Sequence, residues 1–504
     1  MRQGGIIIWA LLLLMAVPAT GESLQRLKEM AVEGVTLIDK DCFVEGWWLG
    51  DYASPNLDNT APRHYSSDHS STVRYVNYLE SKDGSTGIKL RAAHKDSFRS
   101  MPRYAYAYLN LKGCTLEWFG QEKLEVSGIE DRNILYISRK TRADVPTKRK
   151  FIRELIPSDV YTLVTLKECE FPLKAGSFLN IYETYAIKTA VNQDASPNGA
   201  MNSWARMAMD SNGDRIYFLI NSTVLWRRDG GRVPSGSGDA EGILVSSSLP
   251  RYGGQVLGRY QLRPLAREDI SFTEPSHWKT AAAWDWTDNA DAFSPGIQAD
   301  EGTGSISVEP SGSVKRGKDF DNPLVLKKGA DNRGTLSHSS LTINTEACNW
   351  WDWKNDCGKG IVLSVCTREA KESLVLAFSF SAGNITPASN AGYPVYWEVQ
   401  VSADGIRWST LRGTHKLRSL PWWYKNDVDG SNYLLSYEAG LGPTEHLVKL
   451  PAALLGLERA YIRIRPSEKI AASYAIEGND NAALRPNLRT ETWVNFGSIA
   501  VYSK

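Results

Sequence analysis

Clusters of tryptophan and tyrosine in the C-terminal half are the residues of this chain best suited to binding chemistry. Indole rings stack on the flat apolar faces of sugars, and neighbouring Asp and Asn side chains bind sugar hydroxyls. Such a surface recognises a glycan without reacting with it. We predict a ligand-binding surface on two aromatic loops, formed by Trp350, Trp351, Trp353, Trp422, Trp423 and Tyr424. The alternative is that these indoles fill the open ends of a β-sandwich and serve packing alone.

The first of these loops is bracketed by two cysteines, Cys348 and Cys357, which lie close together along a short polar segment. We predict a disulfide between them, which would hold three indoles on a constrained loop. The six cysteines are divided equally between the two halves of the chain, and the sequence does not select among the full pairings. Zinc binding is the less favoured alternative, because no Cys-x-x-Cys or histidine spacing accompanies these cysteines.

Two segments place oxygen ligands at alternate positions, as a calcium loop does. The first is Asp210-Ser-Asn212-Gly-Asp214, and the second contains Asp427 and Asp429. Neither is followed by the bidentate Glu of an EF-hand loop. A structural calcium ion at Asp427 and Asp429 is a candidate, although two Asx-stabilised turns are the favoured interpretation. No cofactor is required by any motif.

Common catalytic motifs are absent from the sequence. There is no His-Glu-x-x-His, no Gly-x-Ser-x-Gly, no Gly-x-x-x-x-Gly-Lys and no strand-linked Gly-x-Gly-x-x-Gly. The seven histidines are scattered without metal-ligand spacing, and each is interpreted as a solvated residue. A carboxylate pair for glycoside hydrolysis depends on tertiary distances, so the sequence leaves that alternative open while favouring a protein that is not an enzyme.

A tyrosine stripe in the first half is the one feature typical of nucleic-acid binding. Tyr104, Tyr106 and Tyr108 alternate with alanines, and a basic segment follows at residues 139–153. Without residues 1–21, which contain Arg2 and no acid, basic and acidic side chains are equal in number. Because no net charge attracts phosphates and the basic segment also fits a solvated linker, we predict that the protein does not bind nucleic acid.

Residues 1–21 have the form of a signal peptide. Arg2 precedes the apolar run Ile6–Val17, and small residues end it at Ala19-Thr20-Gly21. The run is too short to span about 30 Å of hydrocarbon as a helix. We therefore predict an exported protein without a transmembrane anchor, located in the periplasm, on the cell surface or outside the cell.

The elements that must position these residues are mostly strands. Helices are predicted at Leu24–Val32 and Ile152–Tyr161, and Asp83-Gly84 predicts a hairpin turn, as does Ser402-Ala-Asp404-Gly405. Alternating runs such as Trp397-Glu-Val-Gln-Val-Ser and Ala460-Tyr-Ile-Arg-Ile-Arg dominate the second half, and the first of them directs Trp397, Val399 and Val401 to one face, the core. Short strands with almost no helix between them are typical of an antiparallel sandwich.

The composition changes near residue 275, beyond which 11 of the 17 tryptophans lie. We divide the chain into a signal peptide (1–21), an OB-like β-barrel module (22–146), a second β module that continues and partly duplicates it (147–275), and a jelly-roll-like β-sandwich (276–504). The predicted fold class is therefore all-β.

The first half resembles a family of uncharacterised exported and surface proteins of Bacteroidota. The matching stretches are Cys42-Phe-Val-Glu-Gly-Trp-Trp-Leu-Gly-Asp, Val76-Asn-Tyr-Leu-Glu-Ser-Lys-Asp-Gly with Gly87-Ile-Lys-Leu, Tyr161-Thr-Leu-Val-Thr-Leu-Lys-Glu-Cys-Glu-Phe, and Arg259-Tyr-Gln-Leu-Arg-Pro-Leu-Ala-Arg-Glu-Asp-Ile. The resemblance implies an OB-like N-terminal module. The second half resembles the jelly-roll or galactose-binding-like sandwiches that such proteins carry. These motifs contain no catalytic residue, and this chain lacks the lipobox cysteine of most members.

These observations favour an exported, non-catalytic protein that binds an extracellular polysaccharide through the tryptophan loops of its C-terminal sandwich. Two alternatives remain. A structural component or adhesin of the cell envelope would bury the same loops against a partner protein. A secreted glycan hydrolase or esterase would have an acidic pair or a Ser/His cleft between the two halves.

Overall fold

The computed structural model describes 23 stretches of the chain, interrupted by short and long gaps. They are residues 24–31, 34–51, 56–57, 76–94, 97–118, 124–174, 203–221, 226, 233–246, 258–285, 297–309, 324–328, 339–344, 351–352, 354–384, 393–394, 396–415, 417–418, 423–425, 432–434, 444–472, 482–483 and 492–504. Strands dominate these stretches, so the predicted all-β fold class is confirmed.

The first module contains one helix and eight strands, with a 3-10 helix at Asp131–Asn133: α1 (Leu24–Met30), β1 (Gly34–Leu37), β2 (Phe43–Trp48), β3 (Val76–Glu80), β4 (Gly87–Ala92), β5 (Ala105–Asn110), β6 (Thr115–Trp118), β7 (Leu124–Ile129) and β8 (Ile134–Ser138). Strands β2, β3 and β4 pair in sequence and β4 runs parallel to β7. Strand β5 pairs with β2, and β6 pairs with β7. Together β5 and β6 occupy one strand position, between β2 and β7. The predicted turn at Asp83-Gly84 joins β3 to β4, and Gly84 has a φ of 74°.

The second module has seven strands and four further 3-10 helices, at Arg142–Asp144, Ile152–Glu154, Pro157–Asp159 and Arg267–Asp269: β9 (Lys148–Lys150), β10 (Leu163–Glu170), β11 (Ser203–Asp210), β12 (Arg215–Asn221), β13 (Ser237–Val245), β14 (Gln261–Arg263) and β15 (Ile270–Glu274). Five of these strands close on themselves in the order β10–β11–β12–β14–β13–β10, with β12 parallel to β14. This closed five-stranded order is that of an OB-type barrel. The helix predicted at Ile152–Tyr161 is wrong. Pro157 keeps Ile156 extended, and two short 3-10 helices form instead.

The two modules are duplicates of one topology. Strands β2, β3, β4 and β7 correspond to β10, β11, β12 and β14, while β5 and β6 together correspond to β13. Each module then adds a 3-10 helix and an outer strand, β8 or β15. Asn133 Oδ1 accepts the Glu130 amide in the first helix, and Asp269 Oδ2 accepts the Ala266 amide in the second. The equivalent caps show that the duplication extends beyond the barrels.

Buried polar contacts join the two barrels. Asn56 Nδ2 donates to the carbonyl oxygens of Leu219, at 2.8 Å, and Pro264, at 2.6 Å. The rings of Tyr78 and Tyr161 pack with centroids 5.3 Å apart. Glu80 is fully buried at the same junction, where its Oε2 accepts the Leu163 amide at 3.2 Å. The junction therefore holds a carboxyl group away from water.

Burial raises the pKa of Glu80 from 4.5 to about 8, with Asp83 adding to the rise and Lys148 and Arg142 opposing it. Between these two pH values the folded protein holds a proton that the unfolded chain has released. The stability should therefore fall as pH rises through this window, by up to about 1.4 kcal/mol per pH unit from this group. We expect Glu80→Gln to reduce that slope and to be more stable than wild type at pH 8.

Urea unfolding at pH 5, 6.5 and 8 measures this effect. The exposed Glu369→Gln variant is the matched control and should keep the wild-type slope. Parallel pH profiles for wild type and Glu80→Gln would contradict the assignment of a protonated Glu80.

The third module contains the remaining strands and a 3-10 helix at Ala452–Leu454: β16 (Lys279–Trp284), β17 (Ile297–Gln298), β18 (Glu301–Gly302), β19 (Gly304–Val308), β20 (Leu324–Lys328), β21 (Ser339–Asn344), β22 (Trp351–Asp352), β23 (Cys357–Gly358), β24 (Ile361–Val365), β25 (Leu374–Asn384), β26 (Tyr393–Pro394), β27 (Tyr396–Ser402), β28 (Ser409–Thr410), β29 (Leu417–Arg418), β30 (Trp423–Lys425), β31 (Asn432–Leu434), β32 (Thr444–Leu450), β33 (Ala460–Pro466), β34 (Ile470–Ala472), β35 (Ala482–Ala483) and β36 (Thr492–Ser503).

Two sheets of this module form the predicted β-sandwich. The first contains β16, β18, β20, β21, β25, β32 and β36, and the second contains β17, β19, β24, β27, β28, β29 and β33. Their inner faces share one core, in which Trp397 lies between Phe380 and Phe496 and is fully buried, as predicted. The predicted turn at Ser402–Gly405 joins β27 to β28.

His446 also lies in this core, so its interpretation as a solvated residue is wrong. Its ring packs against Phe378 and Phe380, each with centroids 5.2 Å away. Burial, aided by the charge of Arg215, lowers the pKa of His446 to about 3, which keeps the imidazole neutral. Along β32, Glu445 and Leu447 contact the second barrel. Because side chains alternate along a strand, His446 points the other way, into the sandwich core.

The outer face of the first sheet packs on the second barrel. Val375, Ala377, Leu447 and Tyr502 belong to the same apolar cluster as the barrel core. Trp278 Nε1 donates to the carbonyl oxygen of Asp210 at 3.2 Å. Because this contact occupies one side of the sandwich, the outer face of the second sheet lies on the opposite side of the module.

Candidate functional site

The outer face of the second sheet carries a row of long polar side chains on β27 and β33. The inward positions of these strands are apolar and buried, so alternation directs their other residues outward. We call this surface the Arg463 face and define it by Glu398, Gln400, Trp408, Tyr461, Arg463 and Arg465. Its opposed pairs are Glu398 with Arg465 and Gln400 with Arg463, which are direct cross-strand neighbours.

Arg463 is the centre of this face. Its Nε donates to Gln400 Oε1 at 3.0 Å, and its Nη1 donates to Glu309 Oε1 at 2.6 Å. The guanidinium carbon lies 4.2 Å from the ring centroid of Trp408, a cation–π distance. Glu309 is fixed in turn by the Gly360 amide, which donates to its Oε2 at 3.0 Å. The guanidinium is therefore held in one orientation on three sides.

Glu398 links the second arginine to this arrangement. Arg465 Nε donates to Glu398 Oε1 at 2.8 Å, and Gln400 Nε2 donates to the same oxygen at 2.7 Å. Thr410 Oγ1 lies 3.2 Å from Glu398 Oε2. The chain from Glu309 through Arg463, Gln400 and Glu398 to Arg465 is thus a continuous hydrogen-bonded ladder across the strands.

The ladder contains two guanidinium groups and two carboxylates, so its formal charges cancel. The side chain of Arg463 is 14% exposed and that of Glu309 is 24% exposed, whereas Glu398 and Gln400 are buried. Trp408 and Tyr461 are partly exposed beside it. A neutral array of fixed donors and acceptors next to aromatic rings suits hydroxyl-rich, uncharged ligands better than ions.

A short hairpin in the first predicted tryptophan loop adjoins one end of this face. Strands β22 and β23 pair, and Arg465 Nη1 donates to the Gly358 carbonyl oxygen at 3.2 Å. Trp351 is only 7% exposed, and its Nε1 donates to Asp356 Oδ1 at 3.2 Å. Hydrogen bonds from Lys469 and Trp351 lower the pKa of Asp356. The burial of Trp351 favours the packing alternative for this indole over a stacking role.

Most other predicted site residues lie outside the described part of the chain. These are Trp350, Trp353, Trp422, Asp427, Asp429 and Cys348. Trp423 and Tyr424 lie on β30, which pairs with β31, and Cys357 is a partly exposed residue of β23. The aromatic loops, the calcium ion and the Cys348–Cys357 disulfide therefore remain predictions.

The other candidate calcium loop is an Asx-stabilised turn. Asp210 Oδ1 accepts the amides of Asn212, at 2.9 Å, and Asp214, at 3.1 Å, while Oδ2 accepts the Ile152 amide at 3.1 Å. Both carboxylate oxygens thus serve the backbone. Within the described residues, no group of three or more His, Cys, Asp or Glu side chains is placed to hold a metal ion.

The Arg463 face was missed in the sequence, although a signal for it exists. The run Ala460-Tyr-Ile-Arg-Ile-Arg places Tyr461, Arg463 and Arg465 on one face, and Trp397-Glu-Val-Gln-Val places Glu398 and Gln400 on another. Only the pairing register of β27 with β33 shows that these two faces are the same surface.

Comparisons with known proteins give no family. No protein-family model matches the chain, and no curated protein matches it. Among solved structures, a cleaved adhesin domain of Lys-gingipain from Porphyromonas gingivalis aligns with a TM-score of 0.19 at 10% identity, over 40% of this chain and 90% of its own. A second cleaved adhesin domain of Lys-gingipain aligns with a TM-score of 0.15 at 12% identity, over 33% of this chain and 75% of its own. A third cleaved adhesin domain of Lys-gingipain aligns with a TM-score of 0.17 at 12% identity, over 40% of this chain and 99% of its own.

None of the helices in the described part of the chain is long and apolar enough to cross a bilayer.

Proposed function

We propose that this protein is an exported, non-catalytic binding protein that recognises a neutral extracellular polysaccharide on the Arg463 face of its sandwich. The observation that carries the proposal is the fixed, charge-balanced ladder from Glu309 to Arg465 beside the partly exposed rings of Trp408 and Tyr461. Sugar hydroxyls exchange hydrogen bonds with amide, guanidinium and carboxylate groups, and sugar C–H faces stack on aromatic rings.

Preorganisation supports binding at this face. Arg463 and Glu398 are already hydrogen-bonded to their neighbours, so little side-chain entropy is lost when a ligand adds further contacts. The proposal moves the contact surface from the predicted tryptophan loops to the sheet beside them. Trp351 and Asp352 adjoin this face through the pairing of Trp351 with Gly358, and the proposal leaves a role for them at its edge.

Tryptophan fluorescence of the purified mature protein tests the proposal. The probes are cellohexaose, xylohexaose and mannohexaose as neutral sugars, with heparin as the anionic comparison. We expect a saturable shift with at least one neutral sugar, and Trp408→Ala should weaken that binding about 10-fold because it removes the stacking ring.

The control is Ile406→Ala, two residues away and 80% exposed, which should bind like wild type. If the folded protein shifts with none of the neutral sugars, the polysaccharide proposal fails. If Trp408→Ala binds them as tightly as wild type does, the assignment to the Arg463 face fails.

A further inference from the structure

The first barrel has an aromatic surface that the Arg463 face does not involve. On the adjacent strands β2, β5 and β8, the register places Glu45 opposite Tyr108 and Tyr108 opposite Tyr136. We call this surface the tyrosine face and define it by Phe43, Glu45, Tyr106, Tyr108 and Tyr136. The three strands span about 10 Å, which is wide enough for a sugar ring to lie across them.

The rings of this face are ordered by their own contacts. Phe43 stacks on Tyr108 with centroids 5.8 Å apart and planes inclined by 4°. Tyr106 packs edge-on against Trp47 at 5.0 Å. Tyr136 is 62% exposed, which is high for a large aromatic side chain on a strand. Water therefore reaches the Tyr136 ring, which lies beside rings that the protein already holds in place, whereas the hydroxyl oxygens of Tyr106 and Tyr108 are buried.

The duplicated barrel shows that the fold does not need these rings. In the second module the outward positions of β10, β13 and β15 carry Thr165, Glu241, Asp239 and Ser271. Two of them take part in ion pairs, of Arg149 with Asp239 at 2.8 Å and of Arg142 with Glu241. The same surface is thus polar in one copy and aromatic in the other. Exposed rings that the topology does not require indicate a ligand.

Charge decides which ligand fits. Among the five residues that define the face, Glu45 carries the formal charge, and its side chain is exposed. Its carboxylate repels phosphates and sulfates. Four of the seven basic side chains in the segment that follows β8 form ion pairs outside this face. Arg142 and Arg149 are bound by second-barrel acids, and Lys148 and Lys150 both contact Asp159. This distribution disfavours the nucleic-acid interpretation of the tyrosine stripe. A carboxylate between phenol groups suits a neutral sugar, whose hydroxyls donate to it.

We propose that the tyrosine face is a second saccharide-binding site, specific for neutral sugars and independent of the Arg463 face. A ring stacks across Tyr108 and Tyr136, and Glu45 accepts hydrogen bonds from its hydroxyls. Two sites on separate modules of one chain would bind a long polysaccharide more tightly than either site alone, because the second contact becomes intramolecular.

Calorimetric titration of the full mature chain with the neutral hexasaccharides tests this site separately. In the Trp408→Ala background, residual binding should remain, and adding Tyr136→Ala should weaken it about 3- to 10-fold. Tyr136→Phe, which keeps the ring, should retain most of the affinity. Leu135→Ala is the matched control, since Leu135 is exposed on the same strand and points the other way.

Distinct results overturn the two proposals. If Tyr136→Ala and Tyr108→Ala leave every binding step unchanged, or if no residual binding exists in Trp408→Ala, the tyrosine site does not exist. If wild type is a dimer that Tyr136→Ala converts to a monomer, the face is a protein interface and the saccharide inference is wrong. If the single variant Trp408→Ala loses all binding, the proposal of a tyrosine site fails and the Arg463 face remains the binding site.

Discussion

Replacing Glu445 with alanine should destabilise the folded protein by about 3–5 kcal/mol, the largest effect that we expect from a single polar substitution. Glu445 connects the sandwich to the second barrel. Its Oε1 lies 3.1 Å from Arg206 Nη1, and its Oε2 accepts the Met207 amide at 2.6 Å. The side chains of Arg206 and Glu445 are only 14% and 5% exposed. The alanine variant would leave a buried guanidinium without its counter-ion and a buried amide without its acceptor.

Urea unfolding at pH 7 measures this cost, with two comparisons. Glu445→Gln keeps an acceptor for Met207 and should lose less stability than the alanine variant. Lys449→Ala removes an ion pair at the same interface, in which Lys449 Nζ lies 2.6 Å from Asp214 Oδ1 and the lysine side chain is 56% exposed. Because the pair is accessible to water, its loss should lower the free energy of unfolding by no more than about 1 kcal/mol. Equal losses for Glu445→Ala and Lys449→Ala would show that the buried pair does not hold the modules together.

Replacing Arg463 with alanine should weaken polysaccharide binding about 100-fold, the largest effect that we expect on function. The substitution removes the donor to Gln400 and Glu309 and the cation that packs on Trp408. The remaining ladder would lose both its order and its charge balance, because Glu309 and Glu398 would face one guanidinium. A bound sugar would then meet an anionic and mobile surface.

Arg463→Lys separates charge from geometry. Lysine keeps the positive charge but lacks the planar fork, so its binding should fall between that of wild type and alanine. The control is Arg368→Ala, which removes an exposed ion pair with Glu458 and should bind normally. Calorimetric titration gives the affinities, and a circular dichroism spectrum confirms that each variant is folded. Wild-type affinity in Arg463→Ala would remove the Arg463 face from the account.

Local sequence patterns predicted the elements well because strand and turn chemistry is local. Gly84 and Gly405 both adopt the positive φ that their turns require, and Trp397 is buried because the alternation of its strand directs it inward. The helix predicted at Ile152–Tyr161 failed for a local reason as well, because Pro157 holds Ile156 in an extended conformation.

The site could not be predicted from the sequence because it depends on pairing between distant segments. Gln400 and Arg463 are 63 residues apart, and Glu309 and Arg463 are 154 apart. Clusters of adjacent tryptophans stand out in a sequence, whereas a ladder built from one residue on each of several strands does not. His446 shows the same effect in the core. Its burial depends on β32 lying between the second barrel and the sandwich core, because that packing decides which of the strand's two alternating faces enters the core.

Hydroxyl-radical footprinting of Trp408 is the most direct test of the central claim, that a neutral polysaccharide binds the Arg463 face. Oxidation of each tryptophan and of the exposed Ile406 is measured by mass spectrometry, with and without a saturating neutral hexasaccharide. The account predicts that the sugar slows oxidation of Trp408 several-fold while Ile406 reacts at an unchanged rate. Equal oxidation of Trp408 in both samples, under conditions where calorimetry shows the sugar to be bound, would contradict it.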